Sequence, residues 1–194
     1  MIKSIYRCIF LTLILFVLLG GIYPLIVTSV GKIFFPLQSN GGVEYIGSQA
    51  VGANLIGQNF SSTKYFHGRP SFAGTLGYDG LSSTPSNLAS TNPKLFTDIN
   101  MHIIKILKGN PTVKRTDIPV ELVTYSGSGL DPHISLQSAL IQIPRVAKSR
   151  NIREDKVTKL VHSSLEKPIF GFFGVDIINV LFLNLKLDNE FNNN

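Results

Sequence analysis

The apolar positions of this chain are unevenly spread. From Cys8 to Gly31 the sequence reads "CIFLTLILFVLLGGIYPLIVTSVG", with no charge between Arg7 and Lys32. As a helix this run is roughly 36 Å long, enough to cross a hydrocarbon core of about 30 Å. Gly20, Gly21 and Pro24 would weaken a soluble helix. In a membrane they are tolerated, because neighbouring helices satisfy the loosened backbone, and the glycines leave a shallow surface for close helix packing. A cleaved signal peptide is the alternative, with Lys3 and Arg7 as its basic head. The run continues well past Leu19 and no A-x-A-like site follows, so a retained anchor fits better.

Beyond the anchor the periodicity becomes mixed. "EYIGSQAVGANLIGQNF" reads as short strands and turns, and "GTLGYDGLSSTPSNLASTNP" as a long loop. Loops of this length usually have a binding role. Asn92 and Pro93 then start a helix whose Leu95, Ile99, Ile103, Ile106 and Leu107 share one face, with Gly109 as its stop. "IPVELVTY" reads as a short strand. "SLQSALIQIPRVAKSR" has helical spacing broken at Pro144, which predicts a kink or two abutting helices. Val157, Leu160, Val161 and Leu165 mark a further helix. In "INVLFLNLKLD" the leucines at 181, 183, 185 and 187 alternate, which predicts a strand. The tail "NEFNNN" reads as disordered. The expected fold class is α+β: a single N-terminal transmembrane helix followed by one mixed α/β soluble domain. Its boundaries are residues 1–7 cytoplasmic, 8–31 transmembrane, 32–188 extracytoplasmic and 189–194 disordered.

Charge decides the orientation. Lys3, Arg7 and the α-amino group flank the anchor on one side and Lys32 alone on the other. The positive-inside bias puts the N-terminus in the cytoplasm and the domain outside. Of the 18 Lys and Arg residues, all but Lys3 and Arg7 follow the anchor, together with all 12 Asp and Glu. They are scattered, with no run suited to a nucleic-acid groove. Anionic lipid is the simpler partner for a mildly basic domain. The single cysteine, Cys8, lies at the membrane edge, so the outer domain holds no internal disulfide and no Cys-ligated metal.

Candidate chemistry concentrates in "VTYSGSGLDPHISLQSA". Ser126 or Ser128 as nucleophile, His133 as base and Asp131 as orienter would make a hydrolase. Residues so close in sequence rarely converge in that way, and no G-x-S-x-G elbow is present. Gly127 and Gly129 ahead of a helix could instead aim backbone N–H groups at an anion, although no G-x-x-x-x-G-K-[ST] occurs. The letters fit a turn best: Gly127 and Gly129 supply positive φ, Asp131-Pro132 leads out, and Ser135 caps the next helix. Ser138 stands where a capping box has Glu or Gln. His67, His102, His133 and His162 lack metal-ligand spacing. In "YFHGRPS", Arg69 either packs in an aromatic corner against local carbonyls or holds a carboxylate, of a partner or of Asp79.

Taken together, "GANLIGQNF", "YFHGRPS", "GYDGLSSTPSNLASTNP", "VTYSGSGLDPHIS", "QIPRVAKSR" and "NVLFLNLKLD" resemble, in order and spacing, the C subunits of Kdp-type potassium-transporting ATPases. The resemblance covers nearly the whole chain. Pro85 and Ser90 stand where that family usually has Gly and Pro, Leu136 where Pro is common, and "GFFGVDIINV" where it has a more polar segment. The resemblance implies a non-catalytic subunit. Its expected partners are a potassium-conducting A subunit, an ATP-hydrolysing P-type B subunit, a small F subunit and membrane lipid, with no nucleic acid. It also implies a catalytic chaperone that raises ATP affinity through a transient ternary complex, with no covalently bound cofactor. An external domain could not meet cytoplasmic ATP, so two expectations stand: a docked regulatory subunit, or a nucleotide-binding module using the Ser126–His133 loop and Arg69.

Overall fold

The structure is a computed structural model and describes residues 2–191. It divides into two compact units, one ending at Ala53 and one beginning at Asn54.

In the first unit, α1 (Ile2–Val17), a π turn (Leu18–Ile22) and α2 (Tyr23–Phe34) form one helix of 33 residues. It is long and apolar enough to cross a membrane. The helix begins earlier and ends later than the predicted 8–31 span, so Lys3, Arg7 and Lys32 lie on the helix itself. The π turn has a local cause. Pro24 has no N–H to give and its ring crowds the preceding turn. The chain widens one step before it, and the Tyr23 N–H reaches Leu18 O. A side chain added at Gly21 would meet nothing within 4 Å, so this flank is open. After α3 (Pro36–Ser39) come the expected short strands, β1 (Val43–Ile46) and β2 (Gln49–Ala53), which pair as an antiparallel hairpin.

The second unit opens with residues 54–92, which contain no helix or strand. Next is α4 (Pro93–Gly109), where Asn92 caps the Lys94 N–H and Ile103 is buried, as its pattern predicts. The strand expected in "IPVELVTY" is absent. Pro119 fixes φ at −60° and Val120–Leu122 closes as a 3₁₀ turn, with Leu122 N–H on Pro119 O. The two-residue strand β3 (His133–Ile134) then leads into α5 (Leu136–Leu140) and α6 (Ile143–Arg150), abutting at Pro144 as predicted. After α7 (Glu154–Ser163), β4 (Ile178–Asn179) pairs antiparallel with β3, and α8 (Val180–Phe191) ends the described chain. The class is α+β, with the core formed where α5 to α8 close over the β3–β4 ladder.

The predicted 178–188 strand is therefore a correction. Only Ile178 and Asn179 are extended; the leucines that alternate also satisfy a helical face. Val180, Leu181, Leu183, Asn184 and Leu187 are the buried set, at helical spacing. The start signal is Asn179, whose Oδ1 accepts the Phe182 N–H at 3.2 Å. The disordered tail is corrected in the same place, because Asn189 to Phe191 continue the helix; residues 192–194 lie outside the described ones.

Asn184 is inside because it has work there. Its Oδ1 accepts the Phe66 N–H at 2.8 Å and its Nδ2 donates to Phe66 O at 3.0 Å. Phe66 itself is fully buried in the core. Removing the amide strands both backbone groups of Phe66, so Asn184→Ala is expected to cost about 2–4 kcal/mol in urea unfolding followed by circular dichroism. Glu190→Ala, on the exposed face of the same helix, is expected to stay within about 0.5 kcal/mol.

Candidate functional site

The "YFHGRPS" segment has no regular secondary structure, yet it runs beside the core. Its polar backbone groups therefore need side-chain partners. Beside the Asn184 clamp on Phe66, Gln142 holds His67 in the same way: Oε1 accepts the His67 N–H at 2.8 Å and Nε2 donates to His67 O at 3.1 Å. Arg145 donates to Thr63 O, Tyr65 O and Gln142 Oε1. Burial lowers its guanidinium to about 10, which leaves it charged at neutral pH. Arg150 pairs with Asp188 at 2.6 Å, and the Tyr65 hydroxyl donates to that same carboxylate. The sequence blocks "YFHGRPS", "QIPRVAKSR" and "NVLFLNLKLD" thus meet at one joint.

Arg69 ties this joint to the Ser-Gly loop. Its Nη1 pairs with Asp131 Oδ2 at 2.9 Å; Asp79, the partner weighed from sequence, is not used. Asp131 Oδ1 accepts the His133 N–H at 3.0 Å and lies 3.5 Å from the His133 ring. Hydrogen bonding from that ring, then from the His133 backbone and from Arg69, holds the Asp131 carboxyl down at about 2, against the pull of burial. Arg69, Asp131 and His133 therefore form one cluster. Ser126 is buried and Ser128 Oγ accepts the Leu130 N–H, as in a local turn. Among the described residues, no hydrogen bond joins either serine hydroxyl to His133, so the hydrolase constellation is not assembled.

The loop is a closed turn. Gly129 has φ +72°, and a Cβ there would lie 2.6 Å from Thr84 O. Gly127 was expected to share this role, but its φ is not positive and nothing lies within 4 Å of an added Cβ. Ser71 Oγ donates to Gly129 O and Ser83 Oγ to Ser128 O, so flanking loops stitch the turn down. Ser135 caps α5 through the Ser138 N–H. The carboxylate missing from the local capping box comes from far away: Glu121 accepts the Ser135 N–H at 2.8 Å and is hydrogen-bonded by the Ser138 hydroxyl.

Next to the joint lies a cavity of about 570 Å³. Arg69, Arg145, Lys105, Lys108, His67 and His102 line it, with Phe60, Tyr78 and Tyr125 among its walls and no carboxylate among the described lining residues. Burial, then the charges of Arg145 and Lys105, push the His67 imidazole down to about 4, so it is neutral at physiological pH. Such a wall favours an anion. Of the candidate binding residues named from the sequence, Arg69 lines this cavity, whereas Ser126 to Gly129, Asp131 and His133 do not. Its cations come from three unlinked segments, so no motif announces it. The available signal was His102 and Lys105, one helical turn apart on α4.

Residues 5–189 match the KdpC family, described as the c chain of the K+-transporting ATPase. The chain is 44% identical over 188 residues to a potassium-transporting ATPase KdpC subunit of Caldanaerobacter subterraneus subsp. tengcongensis, covering 97% of this chain and 96% of that one. It is 40% identical over 200 residues to the KdpC subunit of Clostridioides difficile, with coverage of 95% and 96%. Against the KdpC subunit of Escherichia coli O127:H6 it is 43% identical over 176 residues, with coverage of 91% and 92%.

The two loop glycines are expected to behave differently. Gly129→Ala forces a side chain into left-handed backbone and onto the Thr84 carbonyl, at a cost of about 2 kcal/mol or more. Gly127→Ala meets open space and is expected to be neutral or slightly stabilising. Urea unfolding of both variants reads the contrast.

Proposed function

The chain belongs to the KdpC family of potassium-transporting ATPase subunits, and on that premise we propose that it is a non-catalytic regulatory subunit of the potassium uptake complex. The apolar helix anchors it in the cell membrane with the N-terminus in the cytoplasm and the soluble domain outside. There the domain docks on the potassium-conducting A subunit, beside the P-type B subunit and the small F subunit. It raises the ATP affinity of the B subunit through the membrane subunits rather than by touching nucleotide.

The observation that supports this reading best is the Arg69–Asp131–His133 cluster. Arg69 Nη1 and the His133 N–H both converge on the Asp131 carboxylate, and this fixes the loop that would otherwise carry chemistry. A domain held together in this way presents a fixed shape to a partner, which suits docking rather than turnover.

A second reading has one observation in its favour, the basic cavity beside Arg69. If the domain takes nucleotide directly, the phosphates belong there, with Arg69, Lys105 and Lys108 as their partners, and not in the Ser126–Gly129 turn.

Two measurements separate the readings. Leu81 is fully exposed, and Leu81→Cys in a Cys8→Ser background gives a single thiol on the domain. A membrane-impermeant maleimide is expected to label it on intact cells, and the complex purified without this subunit is expected to show a raised KM for ATP. Labelling only after lysis, together with ATP binding to the full chain that is lost in Lys105→Gln, would replace the docking reading with the nucleotide one.

A further inference from the structure

Between α7 and β4 the chain leaves the core as a hairpin. Its base is the Glu166–Ile177 pair and its upper rung the Ile169–Phe173 pair, each with both backbone hydrogen bonds made. At its tip the hydrophobic pattern inverts. Phe170 is 84% exposed, Phe172 70%, Phe173 63% and Ile169 69%. Phe172 and Phe173 pack on each other with ring centroids 4.4 Å apart, and neither belongs to the core.

The turn does not need these residues. Phe170 and Gly171 both have positive φ, 55° and 79°. Asn-Gly or Asp-Gly serve that geometry best, and a bulky side chain at the first position is held there at a conformational cost. The backbone gains nothing from a phenyl ring at this site, so its use lies outside the hairpin.

We propose that this tip, Pro168 to Val175, inserts into the interfacial layer of the same bilayer that holds the apolar helix. The inference rests on the anchor reading. Two observations choose lipid over a protein partner. The eight residues "PIFGFFGV" carry no charge and no polar side chain, so they offer a protein surface nothing to orient it, whereas acyl chains need no orientation. The N–H groups of Ile169, Gly171, Phe172 and Phe173 are paired inside the hairpin, which lowers the cost of leaving water. The tip would act as a second foot. It would limit the tilt of a domain otherwise tethered by one helix.

The chain contains no tryptophan, so one introduced residue reports alone. Phe172→Trp places it at the tip, and Leu81→Trp, on a different exposed loop, is the control. Both full-length variants are reconstituted in phosphatidylcholine–phosphatidylglycerol vesicles, with and without brominated acyl chains. Co-flotation with the vesicles checks the anchor separately. The proposal expects F172W emission to be shifted to the blue and quenched by the brominated lipid, and L81W emission to be neither. F172W emission that matches L81W in floated vesicles overturns it. So does a blue shift that arises only when the other subunits are present and is insensitive to bromine, which would make the tip a protein contact.

Discussion

The second unit depends on two side-chain amides doing the work of a β-sheet. The backbone at Phe66 and His67 runs beside the core outside any ladder, so its N–H and C=O groups have no neighbouring strand. Asn184 and Gln142 each present one acceptor and one donor, the same pair a strand would offer, from α8 and from the junction of α5 and α6. Phe66 can then be fully buried without stranding its peptide groups. Had either amide been apolar, a segment with this composition would have to move to the surface, and the core would lose its largest buried ring.

Other features follow from that fixed segment. Once Phe66 and His67 are held, Arg69 two residues on has a set position, and its ion pair with Asp131 carries the constraint into the Ser-Gly loop. The same segment forms one wall of the basic cavity, facing α4 and the start of α6. Arg145 is common to both: it closes the carbonyls of Thr63 and Tyr65 and contributes its charge to the cavity. Structural rigidity and the cavity's positive character therefore come from the same residues, which makes them hard to separate by mutation at Arg145 alone.

Elements with a strong local signal were readable in the sequence. Asn92-Pro93 started α4, and Pro144 divided α5 from α6, because caps and proline act on their own few residues. The strand readings at 118–125 and 178–188 failed where local letters were ambiguous and tertiary context decided. Alternating leucines suit a helix as well as a strand, and only the amide partner of Asn184 shows why a polar residue belongs inside. The candidate loop is a turn, as expected at Gly129 though not at Gly127, and its ties to Thr84, Ser71 and Glu121 come from distant segments with no pattern of their own. The cavity went unread for the same reason, since only His102 and Lys105 on α4 hint at it. The exposed tip at Phe170–Phe173 was visible as letters, but only its exposure shows that the rings stay out of the core.

Amide hydrogen exchange at Phe66 and His67 tests the clamp most directly. If the two side-chain amides hold this segment as firmly as a central ladder would, both N–H groups exchange only through global unfolding, with the same opening free energy as the buried amides of α7. Exchange of Phe66 and His67 by local opening, well before α7 and at rates typical of a surface loop, would contradict the account: the segment would then be packed against the core without being pinned to it.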